Sequence, residues 1–257
     1  MCVLVAAIDD HADYDLVVMA NRDEFHARPS AAAAPWDDAP TILAGRDLSA
    51  GGTWLGVDRA GHFAAVTNVR SNESRPAGRS RGFLVSDFLR PTGASSAAYT
   101  AALTRAAPLY AGVNLIAADR HSAHIWSNLA GEVTPLARGL HGLSNGAFGE
   151  EWPKVTQLKL AYARARSCTG EDLITALLNA LRDTTQPADA LLPQTGVGLA
   201  REGWGAAVFI VGEGYGTRCS SVVLRGRTGQ LQFIERRYAI DTQISGESRY
   251  TLAIGRP

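Results

Sequence analysis

Cysteine is scarce in this chain: three in 257 residues, with no C-x-x-C pair. That excludes a disulfide framework and a thiolate zinc site, and three free thiols fit a reducing compartment, so the expected location is cytoplasmic. Long apolar runs are also missing; none approaches the roughly 18 residues that a membrane span needs. The start has no basic segment and meets Asp9-Asp10 early, which argues against a signal peptide. Neither sign of charge dominates, since Lys plus Arg and Asp plus Glu are both 25. A nucleic-acid partner therefore has no electrostatic footprint to bind. No Walker loop, G-x-G-x-x-G or zinc spacing occurs. His121-x-x-His124 reads as a surface pair, because residues three apart on a strand face opposite ways, and no metal site is expected.

What is present is apolar enough for a sizeable core, at 46% hydrophobic, and fits one domain over residues 1–257. Residues 2–8 and 14–20 are apolar runs separated by a polar turn, which predicts an antiparallel hairpin. A second hairpin is expected over 53–58 and 62–68. Helical spacing covers 81–90, 95–107 (with Ser95 or Ser96 as N-cap), 154–166 and 171–182. Strands are expected at 112–118, 124–128, 133–136, 206–211, 218–225 and 230–237. Residues 186–203 read as a long loop that could cover a site. Strands in hairpins at both ends, with helices clustered between, predict an α+β fold of two antiparallel sheets covered by helices.

The second residue is one of the three cysteines. The side chain after Met1 is small, so removal of Met1 is expected, leaving a thiol and a free α-amine on one residue. An α-amine titrates just above neutral pH and can serve as the base for its own thiol. If the first turn centres near His11–Asp13, paired positions sum to roughly 23–25, and Cys2 lies opposite Arg22 or Asp23. A cation there stabilises a thiolate, and a carboxylate orients the amine.

Met1-Cys2, Asn21-Arg22-Asp23-Glu24-Phe25 with Arg28-Pro29, Ala44-Gly45-Arg46-Asp47-Leu48 and Gly51-Gly52-Thr53-Trp54-Leu55-Gly56 recur in order with further short motifs. These are Thr67-Asn68-Val69-Arg70, Ser80-Arg81-Gly82, Gly142-Leu143-Ser144-Asn145 and Tyr215-Gly216-Thr217-Arg218. Together they resemble the NRDE family, which includes the transport and Golgi organisation protein 2 homologues. The resemblance implies the four-layer αββα sandwich of N-terminal nucleophile hydrolases. In the distantly similar choloylglycine hydrolase and penicillin V acylase group, asparagines follow comparable strands, and Asn68 and Asn145 look like those. Arg218 looks like that group's arginine near the nucleophile. That group separates its arginine and aspartate by two residues, whereas Arg22 and Asp23 are adjacent and, on a strand, point to opposite faces.

The expected catalytic residues are thus Cys2, Arg22, Asp23, Asn68, Asn145 and Arg218, with Asn21, Glu24, His26, Arg28 and Trp54 as candidate ligand-binding residues. Two function classes follow. One is a cysteine hydrolase of an amide or thioester of a small or lipid-like acyl substrate, needing no cofactor, with the Cys2 amine as base and Asn68 and Asn145 as oxyanion donors. The other is a carrier that uses the same pocket without turnover; the resemblance implies haem or acyl-CoA as its ligand. No C-x-x-C-H or clear axial-ligand motif is present, so reversible haem binding is neither supported nor excluded by the motifs.

Overall fold

The first hairpin is built from β1 (Cys2–Ile8) and β2 (Tyr14–Phe25), paired in a register that puts Cys2 opposite Arg22 and Ile8 opposite Leu16. The computed structural model describes residues 2–70, 78–91, 93–196 and 198–254, so the expected loss of Met1 falls outside the described residues. Alternation along this hairpin sorts its side chains. Leu4, Ala6, Leu16, Val18 and Ala20 enter one buried cluster, and Val3, Val5, Ala7, Val17 and Met19 enter another.

The chain continues through β3 (Ser30–Trp36), β4 (Ala39–Asp47), β5 (Leu55–Asp58) and β6 (Phe63–Asn68). Helix α1 (Gly82–Leu89) stops ahead of Pro91. Helix α2 (Ser96–Leu103) is capped by the Ser95 side chain, which accepts from the Ala98 N–H, and tightens into a 3₁₀ turn over Thr104–Leu109. Strands β7 (Val113–Ala118), β8 (Ala123–Ser127), β9 (Glu132–Pro135) and β10 (Gly139–Leu143) follow. Then come α3 (Pro153–Ala165), α4 (Gly170–Ala180) and α5 (Leu199–Gly205). The last strands are β11 (Tyr215–Gly226), β12 (Gln230–Tyr238) and β13 (Ile244–Ala253).

The strands form a six-stranded sheet, in order β10-β1-β2-β11-β12-β13, and a seven-stranded sheet, in order β3-β4-β5-β6-β7-β8-β9. Every pairing is antiparallel. Three buried clusters define four layers. One, with Leu55, Phe63, Ile116 and Phe233, lies between the sheets. A second packs α3 and α4 on the six-stranded sheet, and a third packs α1 and the end of α2 on the seven-stranded sheet. Each fully buried Leu or Phe in these layers contributes about 1.5–3 kcal/mol of hydrophobic stabilisation. The αββα sandwich expected from the resemblance is the observed architecture. No helix among the described residues is long and apolar enough to cross a membrane.

The differences from the sequence reading have local causes. Strand β2 runs on through Phe25 instead of ending at Ala20, because the polar groups of Asn21 and Asp23 find buried partners. Strands β3 and β4 were hidden by alanines and prolines, which score poorly as strand formers. In β10, Gly142 reads as a turn residue, yet a Cβ there would lie 2.1 Å from Val155 Cγ1, so glycine lets α3 close on the sheet. Strand β13 is an edge of mostly polar alternation. Residues 206–211, expected as a strand, are coil, buried through Ile210 and exposed at Val211. Their backbone bonds elsewhere: the Phe209 N–H to Asp183 O, and the Ile210 N–H to Thr217 Oγ1. Part of the expected loop at 186–203 is helical, in a 3₁₀ turn at Asp189–Leu191 and in α5. His124 Nδ1 bonds Ser96 Oγ at 2.9 Å, and no cluster that could hold a metal occurs among the described residues.

Candidate functional site

The site is assembled where β1 begins and β2 leaves the core. Cys2 is half-buried and stands opposite Arg22. Arg22 and Glu24 share the face between the sheets, whereas Asn21 and Asp23 point toward the α3–α4 layer. The Arg22 guanidinium stacks on the Trp54 ring, 4.2 Å from its centroid, and lies 4.0 Å from Glu24. Its Nη1 is buried with no hydrogen-bond partner among the described residues. Trp54 reaches this position over Gly45, where a Cβ would sit 2.4 Å from the ring. That contact gives a physical reason for the glycine in Ala44-Gly45-Arg46.

A cavity of about 100 Å³ opens here, bordered by Cys2, Arg22, Asp23, Glu24, Arg28, Trp54 and Asn68 of the expected residues. Asp47, Thr53, Ser80, Arg81 and Gly82 complete much of its wall. Arg28 is fixed by Asp47, with Nη2 at 2.8 Å from Oδ2, while Asp47 Oδ1 accepts from the N–H groups of Ser49 and Ala50. Arg81 donates to Gly112 O at 3.2 Å and has no carboxylate within ion-pair distance among the described residues. Burial pulls its pKa down, although a thiolate at Cys2 would act in the opposite direction. Asn68, half-buried at the end of β6, has a side-chain amide with no hydrogen bond among the described residues.

Asp23 is completely buried. Its Oδ1 accepts from Thr217 Oγ1 at 2.6 Å, and Lys154 Nζ stands 4.0 Å from Oδ2. Burial raises the Asp23 pKa, and the Lys154 charge opposes it. Burial lowers the Lys154 pKa, and Asp23 opposes that in turn.

Four expected residues do not reach the cavity. Asn21 is committed to structure: its Nδ2 donates to Leu181 O and Val208 O, both at 2.8 Å, and its Oδ1 accepts from Ser220 Oγ. His26 Nε2 bonds Gly212 O at 2.9 Å. Asn145 is buried and donates to Asn68 O at 2.7 Å, while its own carbonyl accepts from the Arg70 N–H at 2.8 Å. It therefore braces Asn68 and does not face the cavity beside it. Arg218 falls where the β11–β2 register slips between Thr217 and Cys219, so it is a bulge residue. Its Nη1 donates to the carbonyls of Phe25, His26 and Arg28, gathering the turn after β2.

Arg81 and Lys154 were missed as site residues. Arg81 lay inside a recognised motif, which was a usable signal. Lys154, in the first turn of α3, carried none that distinguishes a buried lysine from a solvated one.

Two solved structures share the fold: an N-acylethanolamine-hydrolyzing acid amidase ortholog from Caenorhabditis elegans and the C2A mutant of the conjugated bile acid hydrolase from Clostridium perfringens. The first has a TM-score of 0.51 at 11% identity, covering 87% of this chain and 92% of its own. The second has a TM-score of 0.52 at 9% identity, covering 100% and 98%. At such identities the likeness is one of fold, that of the N-terminal nucleophile hydrolases. By sequence, the chain is 34% identical over 256 residues to the Transport and Golgi organization protein 2 homolog of Homo sapiens, covering 92% of each. The Drosophila melanogaster protein is 26% identical over 258 residues, covering 91% of each. With residues 1–240 matching the family model as well, the chain belongs to the Transport and Golgi organisation 2 family.

Proposed function

We propose that this protein is a cysteine N-terminal nucleophile hydrolase acting on an amide or thioester of a small or lipid-like acyl substrate. The observation that carries this reading is Cys2 itself: a half-buried thiol at a strand end, opposite Arg22, sharing one small cavity with Asp23 and Asn68. The reaction requires Cys2 to be the first residue. Its α-amine then takes the thiol proton, and Sγ attacks the acyl carbonyl. The Asn68 amide donates to the oxyanion, and Arg22 and Arg81 supply positive potential to the cavity. The protonated amine passes its proton to the leaving nitrogen or sulfur, and water then hydrolyses the acyl thioester on Cys2. No cofactor is needed. Both structural neighbours are named for hydrolysis, one as an amidase, which supports the reaction class. A cytoplasmic setting would keep the three free thiols reduced.

The test is a screen of short acyl amides and thioesters against wild type and Cys2→Ala, with alkylation mapped over the three cysteines. Turnover lost in Cys2→Ala, with Cys2 the fastest thiol to react, is expected. No turnover by wild type on any substrate would contradict it.

One observation favours a second reading, a pocket that binds without turnover. The Asn145 donor is spent on Asn68 O, which removes one of the two expected oxyanion donors. Three arginines, Arg22, Arg28 and Arg81, instead suit the anionic groups that haem and acyl-CoA carry. Pockets that enclose a whole ligand run to about 300–1,000 Å³, so this cavity of about 100 Å³ would take a head group only. His26 does not border this cavity, so it is not placed to serve as an axial ligand to a group bound there. Ligand titration, by Soret absorbance for haem, on wild type and Cys2→Ala separates the readings: binding unaffected by the substitution, without turnover, is the carrier's signature.

A further inference from the structure

The chain contains only two lysines among its 25 Lys and Arg residues. One, Lys159, pairs with Glu151 at the surface. The other, Lys154, is completely buried at the start of α3, in a chain that otherwise writes its cations as arginine. The two are not interchangeable: a buried ammonium can gain and lose its proton, whereas a guanidinium keeps its own.

Lys154 Nζ donates to Gly205 O at 3.2 Å and lies 4.0 Å from Asp23 Oδ2, with both side chains fully buried. Thr217 Oγ1 holds the other Asp23 oxygen and itself accepts from the Ile210 N–H, so the carboxyl group has a fixed orientation. A buried ion pair stabilises a fold no better than apolar residues of the same volume, so stability does not account for this one. Its location does: Asp23 borders the same cavity as Cys2.

We propose that Lys154 is the counter-cation that keeps Asp23 a carboxylate under complete burial, making the Lys154–Asp23 pair the positioning device for the Cys2 α-amine. This rests on the hydrolase reading above and supplies its missing control of charge. Among the described residues, the other charged or titratable groups facing the pair are Arg22 on β2, Cys2 on β1 and Arg70 beyond β6. Arg70 is matched by Glu202, at 2.7 Å. Lys154 does not touch substrate in this scheme; it acts through Asp23.

With two lysines, the side-chain ¹³Cε signals can be followed separately against pH in the intact protein. Lys154 is expected to titrate below the ordinary lysine value, and to fall further in Asp23→Asn, which keeps the shape but removes the anion. Cys2 is read independently, by the pH profile of its alkylation in Met1-free protein. Lys154→Met is expected to move that profile up by about one pH unit, a tenfold loss of rate on its acid limb. A Lys154 titration unmoved by Asp23→Asn would overturn the coupling, as would a Lys154→Met profile identical to wild type. If Lys154→Met fails to fold, the lysine titrations in wild type and Asp23→Asn decide alone. Reaction with a cyanobenzothiazole, specific for a 1,2-aminothiol, keeps the two claims apart. If Cys2 does not label, the hydrolase reading fails, whereas the Lys154–Asp23 coupling is still decided by the titrations.

Discussion

Asn145 Nδ2 donates to the main-chain carbonyl of Asn68 at 2.7 Å, so the two asparagines act in series, one bracing the other. The brace also links the sheets, since Asn145 follows β10 and Asn68 ends β6. The Arg70 N–H, donating to Asn145 O, closes the connection. Of the two, Asn68 is left to present its side-chain amide to the cavity.

Replacing the two should therefore have opposite signatures. Asn145→Ala leaves the half-buried Asn68 carbonyl without its donor and should cost about 1–2 kcal/mol in urea unfolding. Asn68→Ala should stay within about 1 kcal/mol of wild type while lowering turnover by about 10²–10³, the usual loss of one oxyanion donor. Equal effects of both on stability would contradict the serial arrangement.

Arg218→Ala should loosen the turn after β2, because one guanidinium nitrogen serves the carbonyls of Phe25, His26 and Arg28. A loss of about 1–2 kcal/mol is expected, with faster hydrogen exchange confined to that turn. Arg218→Lys should recover less than half, since an ammonium lacks the planar fork.

Gly52 is fixed by a close approach between backbones. A Cβ there would lie 2.5–2.9 Å from the main-chain atoms of Gly82, and backbone cannot move aside as a flexible side chain does. Gly52→Ala should destabilise by about 1–3 kcal/mol. It should also alter the Cys2 alkylation rate, because Gly82 and Thr53 form part of the cavity wall.

Asp119 makes the acid limb of stability testable away from the site. Burial pushes its pKa up, but the N–H groups of Ser96 and His121 outweigh that and leave it lowered to about 2. A depressed carboxylate contributes stability above its unfolded value, about 4, and loses that contribution as pH falls toward its folded value. Asp119→Asn should thus be more damaging at pH 7 than at pH 3 by urea unfolding. A pH-independent difference would count against the assignment.

The β1–β2 register was legible because two apolar runs around one polar turn allow few alignments, and Cys2 does pair with Arg22. The layers were legible because strand and helix periods sort side chains before any contact is known. Strands β3 and β4 were not, since their alanines pack through tertiary context and carry no strand signal of their own. In the site, residue type alone could not tell a free amide from a committed one. Asn21, Asn68 and Asn145 are chemically identical, and only the fold decides that two of them are spent on backbone carbonyls. Lys154 escaped notice for the same reason: burial of a helix's first turn is set by what packs over it.

The central claim is that Cys2 is a free, reactive N-terminal residue. The most direct measurement is the intact mass of natively expressed, folded protein before and after reaction with a cyanobenzothiazole. The account predicts a mass lacking Met1 and one adduct per chain, absent in Cys2→Ala. A mass that retains Met1, with no adduct on wild type, would contradict it.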